Sequence, residues 1–470
     1  MRYGCRPRLH GPEDISRCFA AAVENVLDIN IIPCDPHRYG ATGLLCHSHM
    51  LRAGGDYQTP WTRDAAVNTW NCLRLLEPEV AKNTLWAVCS VDSQGRPIIQ
   101  PDVQVWDQIV WTVGAWSYYL ATGDEGFLTV ARGVVDRALE QLGKTRYVER
   151  QGLFRGGSFF NDGISGYPLE LHTPGLYDSF GPAHKAVEQI MCLSTNCLYA
   201  QAYEIQALMA EHFGDGEASA AARDHRRQLQ ERIEAVFWDP ELGRYDYILY
   251  PDGRKDRSQE AAGHIFSVLF DVCPKERQRQ LLEGLTVSSR GLVSIWPPFP
   301  GLYSPEAPGR HNALIWPFLN GMYIRALCRC GLAERAGREL KAMTELYHGT
   351  DLCFWEIYSP DTGAPHGGWQ LDHIWDSCRD QTWSAACYFG AVVMGIFGIE
   401  TTREGIVIRP CVPASMSGAR LEGMRIRGME LDVLLQGSGA ELAELLLDGR
   451  ETGAVIPWIQ GKHTVTAVMR

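Results

Sequence analysis

From residue 14 to about 397 the apolar residues of this chain recur with a helical period, interrupted about a dozen times by loops rich in Gly, Pro and aromatics. The spacing predicts helices near 14–27, 62–76, 79–91, 105–122, 127–142, 185–213, 217–236, 258–271, 275–284, 312–329, 332–346 and 380–396. Asp124-Glu125 caps one start, and Ser194-Thr195 marks a possible break inside the long sixth segment. A helical hairpin cannot bury its apolar face alone, so a long series of hairpins folds by packing each on its neighbours. Paired helices in this number suggest an α/α toroid, six inner helices wrapped by six outer ones. Such a ring lets one domain exceed the usual length, whereas 470 residues would ordinarily read as two or three. No repeat of fixed period accompanies the pattern.

After residue 400 the texture changes. Gly405-Ile406-Val407-Ile408-Arg409-Pro410 opens a region of short β-prone runs at 424–435, 442–447 and 464–469, with a turn at Leu447-Asp448-Gly449-Arg450. The expected architecture is therefore all-α: an (α/α)6 toroid barrel over residues 1–400 and a small antiparallel β appendage over 401–470 that braces the last helices.

Composition narrows the function. The 44 basic and 56 acidic residues leave a net charge of −12, which offers no general basic surface for nucleic acid. The basic start Met1-Arg2-Tyr3-Gly4-Cys5-Arg6-Pro7-Arg8 is not followed by an apolar stretch, so it does not read as a secretory signal. No run approaches the ~18 consecutive apolar residues of a membrane span. Fifteen cysteines, mostly inside apolar segments, suit reduced core thiols and a cytoplasmic location. Cys328, Cys330, Cys353 and Cys378 lack zinc-site spacing, so no metal or cofactor is expected, and the oligomeric state stays open.

Three motifs join a carboxylate to aromatics: Pro60-Trp61-Thr62-Arg63-Asp64, Phe159-Phe160-Asn161-Asp162-Gly163 and Phe354-Trp355-Glu356-Ile357-Tyr358. Sugars present apolar C–H faces for stacking and hydroxyl rims for carboxylates, so these motifs point to a carbohydrate site. Trp61, Arg63 and Asp64 offer a stacking face, a forked donor and an acceptor at a helix entry, although Asp64 there also serves the helix dipole. Asp162 lies in a glycine-rich loop where Asp-Gly alone reads as a turn. Its two phenylalanines suggest an apolar wall that raises the carboxyl pKa and keeps it protonated, as a general acid requires. Glu356, among aromatics, is the candidate base, because a buried unpaired carboxylate is costly without a function. Further aromatic segments near helix starts add Trp106, Asp107, Arg310, His311, Trp316, Trp369, Trp375, Gln381 and Trp383 as candidate substrate contacts.

The order of these motifs resembles the six-hairpin glycosidase superfamily, most closely the family 63 glycoside hydrolases and their bacterial α-glucosidase and glycosylglycerate-hydrolase relatives. Trp61-Thr62-Arg63-Asp64 is similar to the segment that binds the terminal sugar. Asn161-Asp162-Gly163, followed by Ser194-Thr195-Asn196-Cys197-Leu198-Tyr199, resembles the general-acid loop and its Asn-bearing helix, which brings in Phe160, Gly163 and Asn196. Arg310-His311-Asn312-Ala313-Leu314-Ile315-Trp316 is similar to a Trp-Arg-Gly-Pro-Ile-Trp signature, but His311-Asn312-Ala313 replaces its core. Trp355-Glu356-Ile357-Tyr358 resembles the general-base segment, and Gln381-Thr382-Trp383-Ser384 the helix that closes the barrel. Before Asn196, Ser194 or Thr195 stands where the family often has an acid.

The resemblance implies inverting hydrolysis of an α-linked glycoside, an α-glucoside foremost. Asp162 would protonate the leaving oxygen and Glu356 would activate water across the ring, with carboxyl groups roughly 6.5–9.5 Å apart. The partner is a small oligosaccharide or glycoside, with no nucleic acid and no membrane. Phosphorolysis using Arg310, His311 and Thr382, other sugar chemistry on the same toroid, and a non-catalytic sugar-binding protein remain as alternatives.

Overall fold

The computed structural model describes residues 4–101 and 103–470, so residues 1–3 of the basic start lie outside the described residues. Twelve helices among the described residues carry the architecture. They are α1 (Glu13–Glu24), α2 (Thr62–Asn68, continued through Arg74–Leu76), α3 (Pro78–Ala87), α4 (Val105–Thr122), α5 (Glu125–Arg146) and α6 (Leu193–His212). After these come α7 (Gly216–Phe237), α8 (Ala261–Leu269), α9 (Lys275–Glu283), α10 (Pro317–Arg329), α11 (Ala333–His348) and α12 (Thr382–Gly390, continued by Ala391–Ile396).

The even-numbered helices close a ring: α2 packs on α4, α4 on α6, α6 on α8, α8 on α10, α10 on α12, and α12 again on α2. The odd-numbered helices lie outside them. Sequence dictates this sorting. Nearly every residue of α4 is buried, as befits a helix that is apolar all round, and it stops at Gly123 in the left-handed conformation (φ 70°). Outer α7 buries only one stripe, and Asp215 caps it by accepting from Ala218 N–H. Small residues set the waist of the ring. A Cβ on Gly114 would lie 2.8 Å from Ala66 Cα, and one on Gly321 would collide with Cys387 O, so α4 and α10 approach their neighbours with no side chain between. Successive inner helices are each joined through an outer one, so all six run the same way. Their N-termini face one end of the ring and their C-termini the other.

The all-α assignment is overturned: 43% of the structure is helical and 19% is strand. The largest sheet has six strands, β1 (Arg8–His10), β2 (Arg420–Ile426), β3 (Met429–Gln436), β4 (Leu442–Leu447), β5 (Arg450–Glu451) and β6 (Gly461–Met469), in the order β1-β2-β3-β6-β4-β5. It is neither wholly antiparallel nor wholly C-terminal, because β3 and β6 pair in parallel and β1 comes from the other end of the chain, Leu9 opposite Leu421. A pairing across that separation leaves no trace in local alternation. Much of the remaining strand consists of two- and three-residue hairpins in the inter-helix loops, such as Cys89–Val91 with Pro97–Ile99. They satisfy loop backbone groups but are too short to show a period of two. No helix is long and apolar enough to cross a membrane among the described residues.

Candidate active site

At the N-terminal end of the inner helices lies a cavity of about 420 Å³. The first turns of α2 and α4 supply Arg63, Asp64 and Asp107, and the residues that open α10 and α12 supply Trp316, Gln381 and Trp383. Loops supply Asp162, Gly163, Arg310, His311, Glu356 and Trp375, and Trp61, half exposed at φ 44°, stands at the mouth. The three acid–aromatic motifs, spread over 60–358 in sequence, thus meet in one place.

The loop bearing Asp162 is fixed from behind. Tyr167 Oη accepts from Ser158 N at 3.0 Å and donates to Asn161 O at 2.7 Å, and Asn161 Nδ2 donates to Tyr247 Oη at 2.9 Å. Phe160, at φ 60°, turns its ring onto His311, Trp316 and Phe318, which leaves the next side chain but one, Asp162, facing the cavity. A Cβ on Gly163 would collide with His311 Nδ1 and Gln370 Oε1, so only glycine permits that approach.

Asp162 is held by two cationic or donor groups: Arg63 Nη2 at 3.3 Å on Oδ2 and His311 Nε2 at 2.9 Å on Oδ1. Here the structure departs from the expected apolar wall. Burial pushes this carboxyl up, but the Arg63 charge and the His311 hydrogen bond overcome it and hold the group well below the usual carboxylate range. The phenylalanines lie behind the loop rather than against the carboxyl. His311 is itself driven below an ordinary histidine by burial, against the opposing pull of Asp162.

Glu356, 5% exposed, accepts from Arg310 Nη2 at 3.0 Å, while Arg310 Nη1 donates to Gly367 O at 2.6 Å and its guanidinium lies 5.4 Å from the Trp316 ring centre. Asp64 is 3% exposed with Gln381 Nε2 at 3.4 Å, and burial, with the neighbouring acids Asp107, Glu356 and Asp162, raises its pKa well above a free carboxylate despite Arg63. Several buried polar atoms of the lining have no protein partner: Arg63 Nε and Nη1, Trp316 Nε1, Trp383 Nε1 and Gln381 Oε1. Donors and an acceptor set among indole faces suit a ligand with many hydroxyls.

Four candidates stand behind this wall instead of facing the cavity. Asn196 clamps strand backbone, accepting from Phe154 N and donating to Phe154 O and Cys192 O. Trp106 and Phe160 are fully buried, and Trp369 packs in a hairpin whose next residue, Gln370, faces inward. Sequence reading passed over Asp56, Tyr57, Gln104 and Phe180, which do line the cavity. Two carried a signal. Asp56-Tyr57 is another acid–aromatic pair, and Gln104 lies three positions before Asp107, on the same helical face, whereas Trp106 is turned away.

The model of one family, described as a mannosylglycerate hydrolase MGH1-like glycoside hydrolase domain, matches residues 35–384. Among solved structures, a GH78 family rhamnosidase of Bacillus sp. GL1 is similar at 16% identity and a TM-score of 0.57, over 92% of this chain and 42% of that one. A sialidase is similar at 14% identity and a TM-score of 0.66, over 96% of this chain and 41% of that one. A GH63 mannosylglycerate hydrolase from Thermus thermophilus in complex with glucose gives 16%, 0.56, 79% and 98%. The chain spans less than half the length of the first two, and likeness at such identities is likeness of fold. No curated protein matches.

Proposed function

The chain belongs to the mannosylglycerate hydrolase MGH1-like glycoside hydrolase family, and on that premise we propose that it hydrolyses an α-linked glycoside, an α-glucoside foremost, with inversion at the anomeric carbon. The observation that carries this reading is a pair of carboxylates, Asp162 and Glu356, each held by its own arginine and both lining one aromatic-walled cavity. The glucose bound by the GH63 neighbour supports a hexosyl unit as a ligand of this cavity.

Glu356 Oε2 is engaged by Arg310, so the other oxygen is left to take a proton from water as that water attacks the anomeric carbon. Asp162 must deliver a proton to the departing oxygen. The Asp162–His311 pair can store it: with one extra proton, the pair holds it on imidazolium or passes it 2.9 Å to Oδ1, leaving neutral histidine and a carboxylic acid. Asp64 and the open donors of Arg63 grip hydroxyls, and Trp316 and Trp375 provide stacking faces. Phosphorolysis is less well supported, because of the groups expected to receive phosphate Arg310 and His311 are already paired with Glu356 and Asp162, and Thr382 Oγ1 donates to Arg52 O.

The test is a set of α- and β-linked glucosides, mannosides and glycosylglycerates with the product anomer followed by NMR. First-formed product of inverted configuration supports the reading. Retention, or turnover that requires phosphate and releases a sugar 1-phosphate, overturns it.

A further inference from the structure

At the opposite end of the ring the inner helices finish around a second cavity, of about 210 Å³. Its walls carry Arg74 from the end of α2 and Arg325 from α10, only 5% and 8% exposed. Arg74 donates from Nε to Trp70 O at 3.1 Å and from Nη1 to Thr401 Oγ1 at 2.7 Å, and its Nη2 rests on Met394 Sδ at 3.2 Å. Arg325 donates from Nη1 to Asn71 Oδ1 at 2.6 Å and lies 4.7 Å from the Trp70 ring centre, while its buried Nε has no partner. Among the described residues, neither guanidinium has a carboxylate within the 4.0 Å of an ion pair.

The other charges here do not balance them. Arg329, a further cation on the lining, is paired with Asp271, and Glu400 is exposed at the rim. Burial and the nearby Arg325 push Arg74 down to about 9 against the opposing pull of Glu400 from the rim, a sign that two like charges share a buried place. The helix C-termini contribute partial negative charge, but peptide dipoles at helix ends do not cancel two full cations. Forked donors in a small cavity with an aromatic side are the arrangement that recognises a tetrahedral oxyanion.

We propose that this far-end cavity binds a small, multiply charged oxyanion of the size of inorganic phosphate or sulfate, held between Arg74 and Arg325. The proposal concerns a site separate from the glycoside reaction and does not depend on it.

The test compares the Tm of the full chain and of Arg325→Met in phosphate, sulfate and chloride at matched ionic strength. Phosphate or sulfate should raise the wild-type Tm above its chloride value by about 3 °C at a hundredfold excess over Kd. Arg325→Met should lose that gain, start no less stable in chloride because it removes a buried unpaired charge, and turn over glycosides like wild type. Equal wild-type Tm in all three salts overturns the proposal. So does a phosphate gain that survives in Arg325→Met, which would place the anion elsewhere, the catalytic cavity included. Should Arg325→Met fail to fold, titration calorimetry with phosphate decides on wild type and on Arg325→Lys, which keeps the charge but not the fork: saturable one-site heat that weakens in Arg325→Lys supports it, and no heat, or heat unchanged in Arg325→Lys, overturns it.

Discussion

The two ends of the helical ring carry buried charge of opposite sign. Where the inner helices begin, the charges that set the site's character are acids: Asp64 and Asp107 in first helical turns, with Asp162 and Glu356 brought in by loops. Where they end, the buried charges are Arg74 and Arg325. Helix amides favour carboxylates and helix carbonyls favour guanidinium groups, so one parallel ring prepares both ends at once. The ends differ in how charge is compensated. At the catalytic end Arg63, Arg310 and His311 pair with the acids, whereas at the far end, among the described residues, Arg74 and Arg325 have no carboxylate at ion-pair distance and Glu400 attracts them only from the rim. Compensation from within leaves carboxylates that can exchange protons with a substrate, and its absence leaves a place for an anion from outside.

The largest effect should fall on one end alone. Asp162→Asn and Glu356→Gln should each lower kcat by about 10²–10⁴-fold, the usual weight of a general acid or base, with Tm in phosphate and in chloride keeping the wild-type difference. Turnover near wild type in both variants would remove the catalytic assignment.

The waist of the ring should show the next effect, and it should not distinguish the ends. Gly321→Val drives a side chain against Cys387 O where α10 meets α12. Overpacking of this kind costs about 1–3 kcal/mol or more, read as a lower midpoint in denaturant. A variant as stable as wild type would show that the helices can separate there, and that the two ends are less rigidly joined than the packing implies.

The helices that make the ring were legible in the chain, since the predicted segments overlap the observed ones from Glu13–Glu24 to Thr382–Gly390. The sheet was not, because Arg8–His10 finds its partner more than 400 positions away and the loop hairpins are too short to alternate. Asp162 and Glu356 stood out because acid and aromatics are adjacent in sequence. The electrostatics of Asp162 could not be read, because Arg63 is 99 positions from it and His311 comes from a third segment. Arg74 and Arg325 raised no expectation at all. An arginine in a helical segment reads as a solvated face until the ring closes over it.

His311 sharpens the comparison through pH. The acid form of the Asp162–His311 pair is the active one, so kcat/KM should fall as pH rises and the pair loses its proton. Both groups are held below their ordinary values, which places that alkaline limb on the acid side of a normal histidine. Removing the imidazole takes away the group that stores the proton and leaves Asp162, still held low by the Arg63 charge, to titrate alone, so His311→Phe should move the limb to lower pH while lowering kcat by about 10-fold. A limb that stays in place would mean that the Asp162–His311 pair is not what titrates there.

The smallest effect concerns stability and touches the acid end. Burial raises the pKa of Asp64 in the folded chain well above its unfolded value, so its ionisation opposes folding: the stability it allows is full below the unfolded pKa and is lost as pH rises through the folded one. Asparagine has the same shape and no charge to desolvate. Asp64→Asn should therefore match wild-type Tm near pH 4 and exceed it by an increasing margin toward pH 8, on the order of 2 °C, while kcat/KM falls because a carboxylate accepts sugar hydroxyls more strongly than an amide. Arg325→Met relieves the corresponding burden at the other end, but there phosphate relieves it too. If the Asp64→Asn margin is flat with pH, the buried acids are compensated more completely than their arginines suggest, and the contrast between the ends is larger still.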